Sequence, residues 1–151
     1  MAKNLGKNFE VIIGNAFDKV PGVSVDRIAD QTMHYKGRKN VSDFIVYKKP
    51  HQFYVECKTV HGNILPFSNI TQFDALLNKG KIPGVRAGVI CWWVEKDVTL
   101  WLPISWLDTL RKAGMKSLRY DTEFPAVIRI KGKKKKIYFD YDLSTFFDHF
   151  R

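Results

Sequence analysis

The chain has 151 residues, 45% hydrophobic and 14% aromatic, enough for one domain with a real core and too few for two. Its 25 Lys and Arg against 15 Asp and Glu give +10 and a pI near 9.6, which favours a polyanionic partner, nucleic acid ahead of a membrane surface. Cys57 and Cys91 stand apart in apolar runs, which argues against a disulfide framework or a CxxC metal site. The N-terminal residues lack a signal-type apolar segment and "AGVICWWV" is too short to span a bilayer, so a soluble, cytoplasmic protein is expected.

In chain order, Leu5, Phe9, Ile12, Ile13, Ala16, Phe17 and Val20 recur at three- and four-residue steps and predict a helix over 4–20, stopped by Pro21-Gly22. "VSVDRI" reads as a short strand and "ADQTMHYKGRKN" as a polar, basic loop. Strands follow over 42–48 and 52–59, joined through "KPH". After the turn-rich "VHGNILPFSN", the spacing of Ile70, Phe73, Leu76 and Leu77 predicts a helix ending at Gly80. "RAGVICWWV" suits a strand buried on both faces, with "VTLWLP" as its neighbour. "ISWLDTLRKAG" is a helix ended by Gly114. "AVIRIKGKKKKIYFDY" is a hairpin with its tip in the lysine run, and "LSTFFDHF" is a short terminal helix. The order is an α/β arrangement, αβββαβ, with a C-terminal hairpin and helix extension.

The chemistry gathers in "SDFIVYKKPHQFYVECK", Ser42 to Lys58. Strand side chains alternate faces, so Glu56 and Lys58 share one side and Cys57 takes the other. A turn centred between Lys49 and Pro50 sets Asp43 opposite Glu56. Two facing carboxylates on a half-buried sheet repel unless a cation lies between them. Lys58 supplies one charge, and two hard oxygen ligands also suit Mg²⁺, with the Cys57 backbone carbonyl as a further ligand. Such a patch has the parts for phosphodiester hydrolysis. A plainer role also fits: Asp43 ends a strand, and Glu56 and Lys58 form a solvated same-face pair. Glu10 sits at the edge of the first helix's apolar stripe, turned to the sheet or to water.

"GKNFE" (6–10), "VSDFIVY" (41–47), "FYVECKT" (53–59) and "LPFSNITQ" (65–72), followed by "GVICWWV", "LWLP" and "AGMKSL", together resemble the PD-(D/E)XK nuclease superfamily. Within it the chain is most similar to RecU-type Holliday junction resolvases, including phage-borne relatives, over about Gly6 to Leu118. The resemblance implies an αβββαβ core with a mixed central sheet. It also implies Asp43 and Glu56 as Mg²⁺ ligands (Mn²⁺ as substitute), Lys58 as catalytic lysine and Glu10 as a supporting carboxylate. Gln72 matches a helix glutamine near the site, with Asp74 as the alternative alignment. Ser42 and Thr59 are supporting residues, and Ser42 stands where relatives have a small hydroxyl residue or Pro. A homodimer placing symmetric nicks in a four-way junction is implied, with no organic cofactor. The bacterial proteins carry a long stalk where this chain has only "ADQTMHYKGRKN", so other branched DNA is an equal substrate on this reading.

For DNA contacts, the run Lys131 to Lys136, with Lys133, Lys134 and Lys135 at its centre, suits two or three phosphates or a solvated turn. Tyr35, Lys36, Arg38 and Lys39 lead into Asp43, and Tyr35 either stacks on an exposed base or anchors its loop. The four tryptophans suit core or dimer packing. His61 and Asn63 lie close to Lys58 in sequence, as supporting residues or bystanders. The competing functions are a non-catalytic basic DNA-binding domain and a sequence-specific restriction- or repair-type nuclease on the same core.

Overall fold

The computed structural model describes residues 5–28, 40–135 and 138–150, with only the backbone for 133–135 and 138–139. The first helix, α1 (Leu5–Asp18), buries Phe9, Ile13, Ala16 and Phe17 along one stripe. It ends two residues short of the expected stop, because the chain already turns toward Gly22, which sits at φ 75°.

The central sheet has six strands: β1 (Ser24–Arg27), β2 (Phe44–Lys48), β3 (His51–Val60), β5 (Val85–Trp93), β6 (Val98–Pro103) and β8 (Ile128–Arg129). They lie side by side in that order. Only β3 and β5 pair in parallel; the other neighbours are antiparallel, so the sheet is mixed. A parallel pair needs a crossover. Here it carries β4 (Ile64–Pro66), a 3₁₀ turn at Phe67–Asn69 and α2 (Phe73–Gly80). Helix α3 (Ile104–Lys112) follows β6 directly and lies beside α2.

Alternation along β3 divides the interior. Phe53, Val55 and Cys57 face α1 and a core completed by Phe44, Val46, Trp101 and Phe146. Val60 faces the other core, with Val89, Cys91 and Trp93 of β5 and Leu76 and Leu107 of the two later helices. The strand β5 is buried on both faces, as its unbroken apolar run requires. At Gly88 the layers come so close that a Cβ would lie 2.6 Å from the Leu102 carbonyl and 2.7 Å from the Trp101 ring. Trp92, Trp93 and Trp101 are buried in the cores, and Trp106 packs on Phe124 with ring centroids 5.2 Å apart.

Three sequence expectations are corrected. The opening "AVIRI" does not pair with "IYFDY": Ile128 and Arg129 join the central sheet beside Trp101 and Leu100. The hairpin is instead β9 (Gly132–Lys135) against β10 (Tyr138–Tyr141). The terminal segment forms a 3₁₀ turn, Phe146–His149, rather than an α-helix, because Phe146 and Phe147 both turn onto Phe53 at 6.0 and 5.2 Å. Within a segment read as turns and loop, β4 pairs with β7 (Ser117–Arg119) in a small second sheet.

Candidate active site

The β2–β3 ladder runs from Phe44↔Val55 to Lys48↔His51, the register that a turn at Lys49-Pro50 dictates. It does not continue to a square Asp43–Glu56 pair. The Asp43 amide donates to the Val55 carbonyl at 3.1 Å, although Val55 already faces Phe44, so the ladder slips by one residue. The slip is held from both sides: the Asp43 carbonyl accepts from the Ile28 amide at 2.8 Å, and buried Ser42 donates Oγ–H to the Phe44 carbonyl at 2.8 Å. Asp43 Oδ2 then accepts the Cys57 amide at 2.8 Å, a charge-assisted bond that fixes the carboxylate against β3.

Glu56 is 3% exposed. Its Oε2 lies 3.5 Å from Lys58 Nζ, longer than a good N–H···O bond. Its Oε1 is buried with no hydrogen-bond partner among the described residues. Burial first, and the charge of Asp43 second, push the Glu56 carboxyl up to about 8, while Lys58 pulls it down. One ammonium against two carboxylates, with a buried oxygen orphaned, leaves the patch short of positive charge. Among the described residues no three His, Cys, Asp or Glu side chains form a ready-made cage. Mg²⁺ asks for less, one or two carboxylates and several waters, so the residues present fit it.

Cys57 faces the opposite side. Burial, then the charges of Asp43, Glu56 and Glu10, push its thiol well up, so it stays protonated and packs. Lys58 stands beside Cys91 of β5 in the ladder, and burial likewise raises that thiol.

Glu10, on α1, lies near enough to the Cys57 side of β3 for its charge to act on that thiol. Its Oε2 accepts from Arg27 Nη2 at 3.0 Å. The sequence reading missed Arg27; the alternation of β1, which puts Val25 and Arg27 on the α1 side, was the available signal. Thr59 also faces α1, where a Cβ on Gly6 would lie 3.8 Å from its Oγ1.

Gln72 stands at the N-cap of α2, and its Oε1 accepts from the Thr71 hydroxyl at 2.8 Å. Asp74, the alternative, pairs with Arg111 at 3.0 Å. His61 turns away to Glu95, Nδ1 to Oε2 at 2.6 Å, and Glu95 Oε1 accepts from the Gly62 amide at 2.7 Å; the two contacts hold the Glu95 carboxyl below its usual range. The Asn63 carbonyl accepts from the Tyr120 amide at 3.1 Å. Tyr35, Lys36, Arg38 and Lys39 lie outside the described residues. Lys133, Lys134 and Lys135 lie in β9 opposite Asp140, Phe139 and Tyr138, so these three lysines form an arm of the hairpin.

Fold and site together define a mixed α/β protein that presents an acid pair and a lysine from one hairpin. No protein-family model matches the chain, and no curated protein matches its sequence. Among the solved structures that match is Hjc, a Holliday junction resolvase from the archaeal hyperthermophile Archaeoglobus fulgidus. The identity is 15% and the TM-score 0.46, over 66% of this chain and 74% of that one. No helix among the described residues is long and apolar enough to cross a membrane.

Proposed function

We propose that the chain is a divalent-metal-dependent DNA endonuclease acting on branched DNA, with the four-way junction as its leading substrate. The observation that carries this reading is the orphaned, buried Oε1 of Glu56, beside Asp43 and within 3.5 Å of Lys58. An uncompensated buried carboxylate is costly unless function requires it. Asp43, Glu56 and the Cys57 backbone carbonyl would hold Mg²⁺, or Mn²⁺ in its place. The bound ion supplies a Lewis acid for the phosphate and lowers the pKa of water to make a nucleophile at neutral pH.

The chain's own residues do the rest. The Cys57 amide holds Asp43 in place, so no reorganisation is needed when substrate arrives. Lys58 donates an N–H to a non-bridging phosphate oxygen and offsets charge that grows in the transition state. Glu10, fixed by Arg27, supports the patch from the α1 side. The net charge of +10 gathers the DNA, and the basic β9–β10 hairpin extends that attraction away from the cut. Paired nicks call for two such sites, hence a homodimer.

The test is incubation of purified protein with labelled four-way junctions and matched linear duplexes, in Mg²⁺ or in EDTA. Symmetric nicks in the junction, with Mg²⁺ only and lost in Glu56→Ala, are expected. Cleavage that persists in Glu56→Ala refutes the site, and a junction panel with varied core sequence separates structure selection from sequence selection.

A further inference from the structure

The sheet face that carries Glu56 and Lys58 is covered unevenly. Over β5 and β6 it lies beneath Leu76 of α2 and Leu107 of α3. Over β1, β2 and the first half of β3, alternation places Ser24, Asp26, Ile45, Tyr47, Gln52 and Tyr54 on it. Of these, the β1 and β2 residues belong to neither core. Tyr47 is 47% exposed, an aromatic ring open to solvent on this face. Tyr54 is held in place: Gln52 Nε2 donates to its hydroxyl at 3.0 Å, and Lys79 Nζ of α2 lies 5.5 Å from its ring centroid.

This strip leads straight to the acid–lysine patch. Tyr54 precedes Glu56 by two residues and Gln52, opposite Tyr47, by four. Tyr47 therefore stands roughly 13 Å from Glu56 at about 3.3 Å per residue. A duplex strand presents a phosphate about every 3.4 Å of axis, so the strip spans about four nucleotides. We propose that it is a DNA track: the strand whose phosphate reaches Glu56 and Lys58 runs back along β3, Lys79 takes a phosphate beside Tyr54, and Tyr47 stacks on an unpaired base. This rests on the endonuclease reading for its direction.

DNA is the occupant the composition fits. Aromatic rings set between a lysine and an amide match the π-face and phosphate of a nucleotide, whereas a buried protein contact would call for a more continuous apolar surface. Asp26, the acidic member, lies on the edge strand β1 opposite Ile45, not on β2 or β3. A ring that stacks on an unpaired base selects branch points, because duplex bases are already stacked.

The experiment uses the full-length protein in EDTA with a four-way junction, 2-aminopurine being scanned through the nucleotides flanking the branch, and a matched duplex as control. One position should change fluorescence on binding, the change being kept in Tyr47→Phe and lost in Tyr47→Ala. Tyr47→Ala should weaken junction binding about tenfold and leave duplex binding and salt dependence unchanged. Lys79→Ala should lower the slope of log affinity against log salt by about one. Unchanged fluorescence and affinity in Tyr47→Ala overturn the track. So does loss of junction and duplex binding together with dissociation of an oligomer in sedimentation, which would make the face a contact between copies of the chain. The two readings fail separately. Stacking at Tyr47 with no Mg²⁺-dependent cleavage sinks the nuclease and keeps the track; cleavage with an indifferent Tyr47 does the reverse.

Discussion

Glu56→Gln is expected to stabilise the metal-free protein at alkaline pH. Burial and the charge of Asp43 hold the Glu56 carboxyl at about 8, against 4.5 ordinarily. Below the lower value both folded and unfolded chains carry the proton. Between the two values the unfolded chain releases it and the native chain keeps it. The native state then binds more protons, and stability falls as pH rises until the native carboxyl has ionised. The full penalty is on the order of 5 kcal/mol. At about 2–4 °C per kcal/mol for a chain of this size, the wild type should lose about 10–20 °C of Tm more than Glu56→Gln between pH 5 and 9. Thermal melts in EDTA across that range measure the difference, in which groups common to both proteins cancel. Adding Mg²⁺ at pH 8 should raise the wild-type Tm and leave Glu56→Gln where it was. Parallel pH profiles for the two proteins would refute the reasoning, because Glu56 would then be ionised at no cost.

Asp43→Ala removes the acceptor of the Cys57 amide and should cost about 1–3 kcal/mol in urea denaturation. Asp43→Asn keeps a carbonyl oxygen there and should fold almost normally while losing cleavage. Gly88→Ala drives a methyl group against the Leu102 carbonyl and the Trp101 ring; a loss of about 1–3 kcal/mol is expected, seen as a lower urea midpoint with an unchanged slope.

The β2–β3 register was legible because a short turn and a period of two leave little freedom, and Glu56 and Lys58 came with it. The slip at Asp43 was not, since it depends on the Ile28 amide, which arrives from the neighbouring strand. "AVIRI" announced a strand through its alternation, but alternation does not name a partner, and β6 had an open edge for it. The pieces β4 and β7 are three residues each, too short to show any period. Gln72 caps α2 rather than lying within it, for a local reason. Ile70 belongs to the end of a 3₁₀ turn rather than to α2, so the helix begins later and Gln72 stands before its first turn instead of on its face.

Asp43, the Cys57 amide that holds its carboxylate and the two charged residues of β3 all fall between positions 42 and 58. Contacts so near in sequence close with little loss of chain entropy and form early. The segment 29–39 before this stretch and the basic hairpin far beyond it can therefore diverge in length and charge while that cluster stays intact, provided the Ile28 amide still meets the Asp43 carbonyl. On the proposed reading, evolution could redirect such an enzyme among DNA structures by remodelling those outlying segments, while the stretch that cuts is inherited whole.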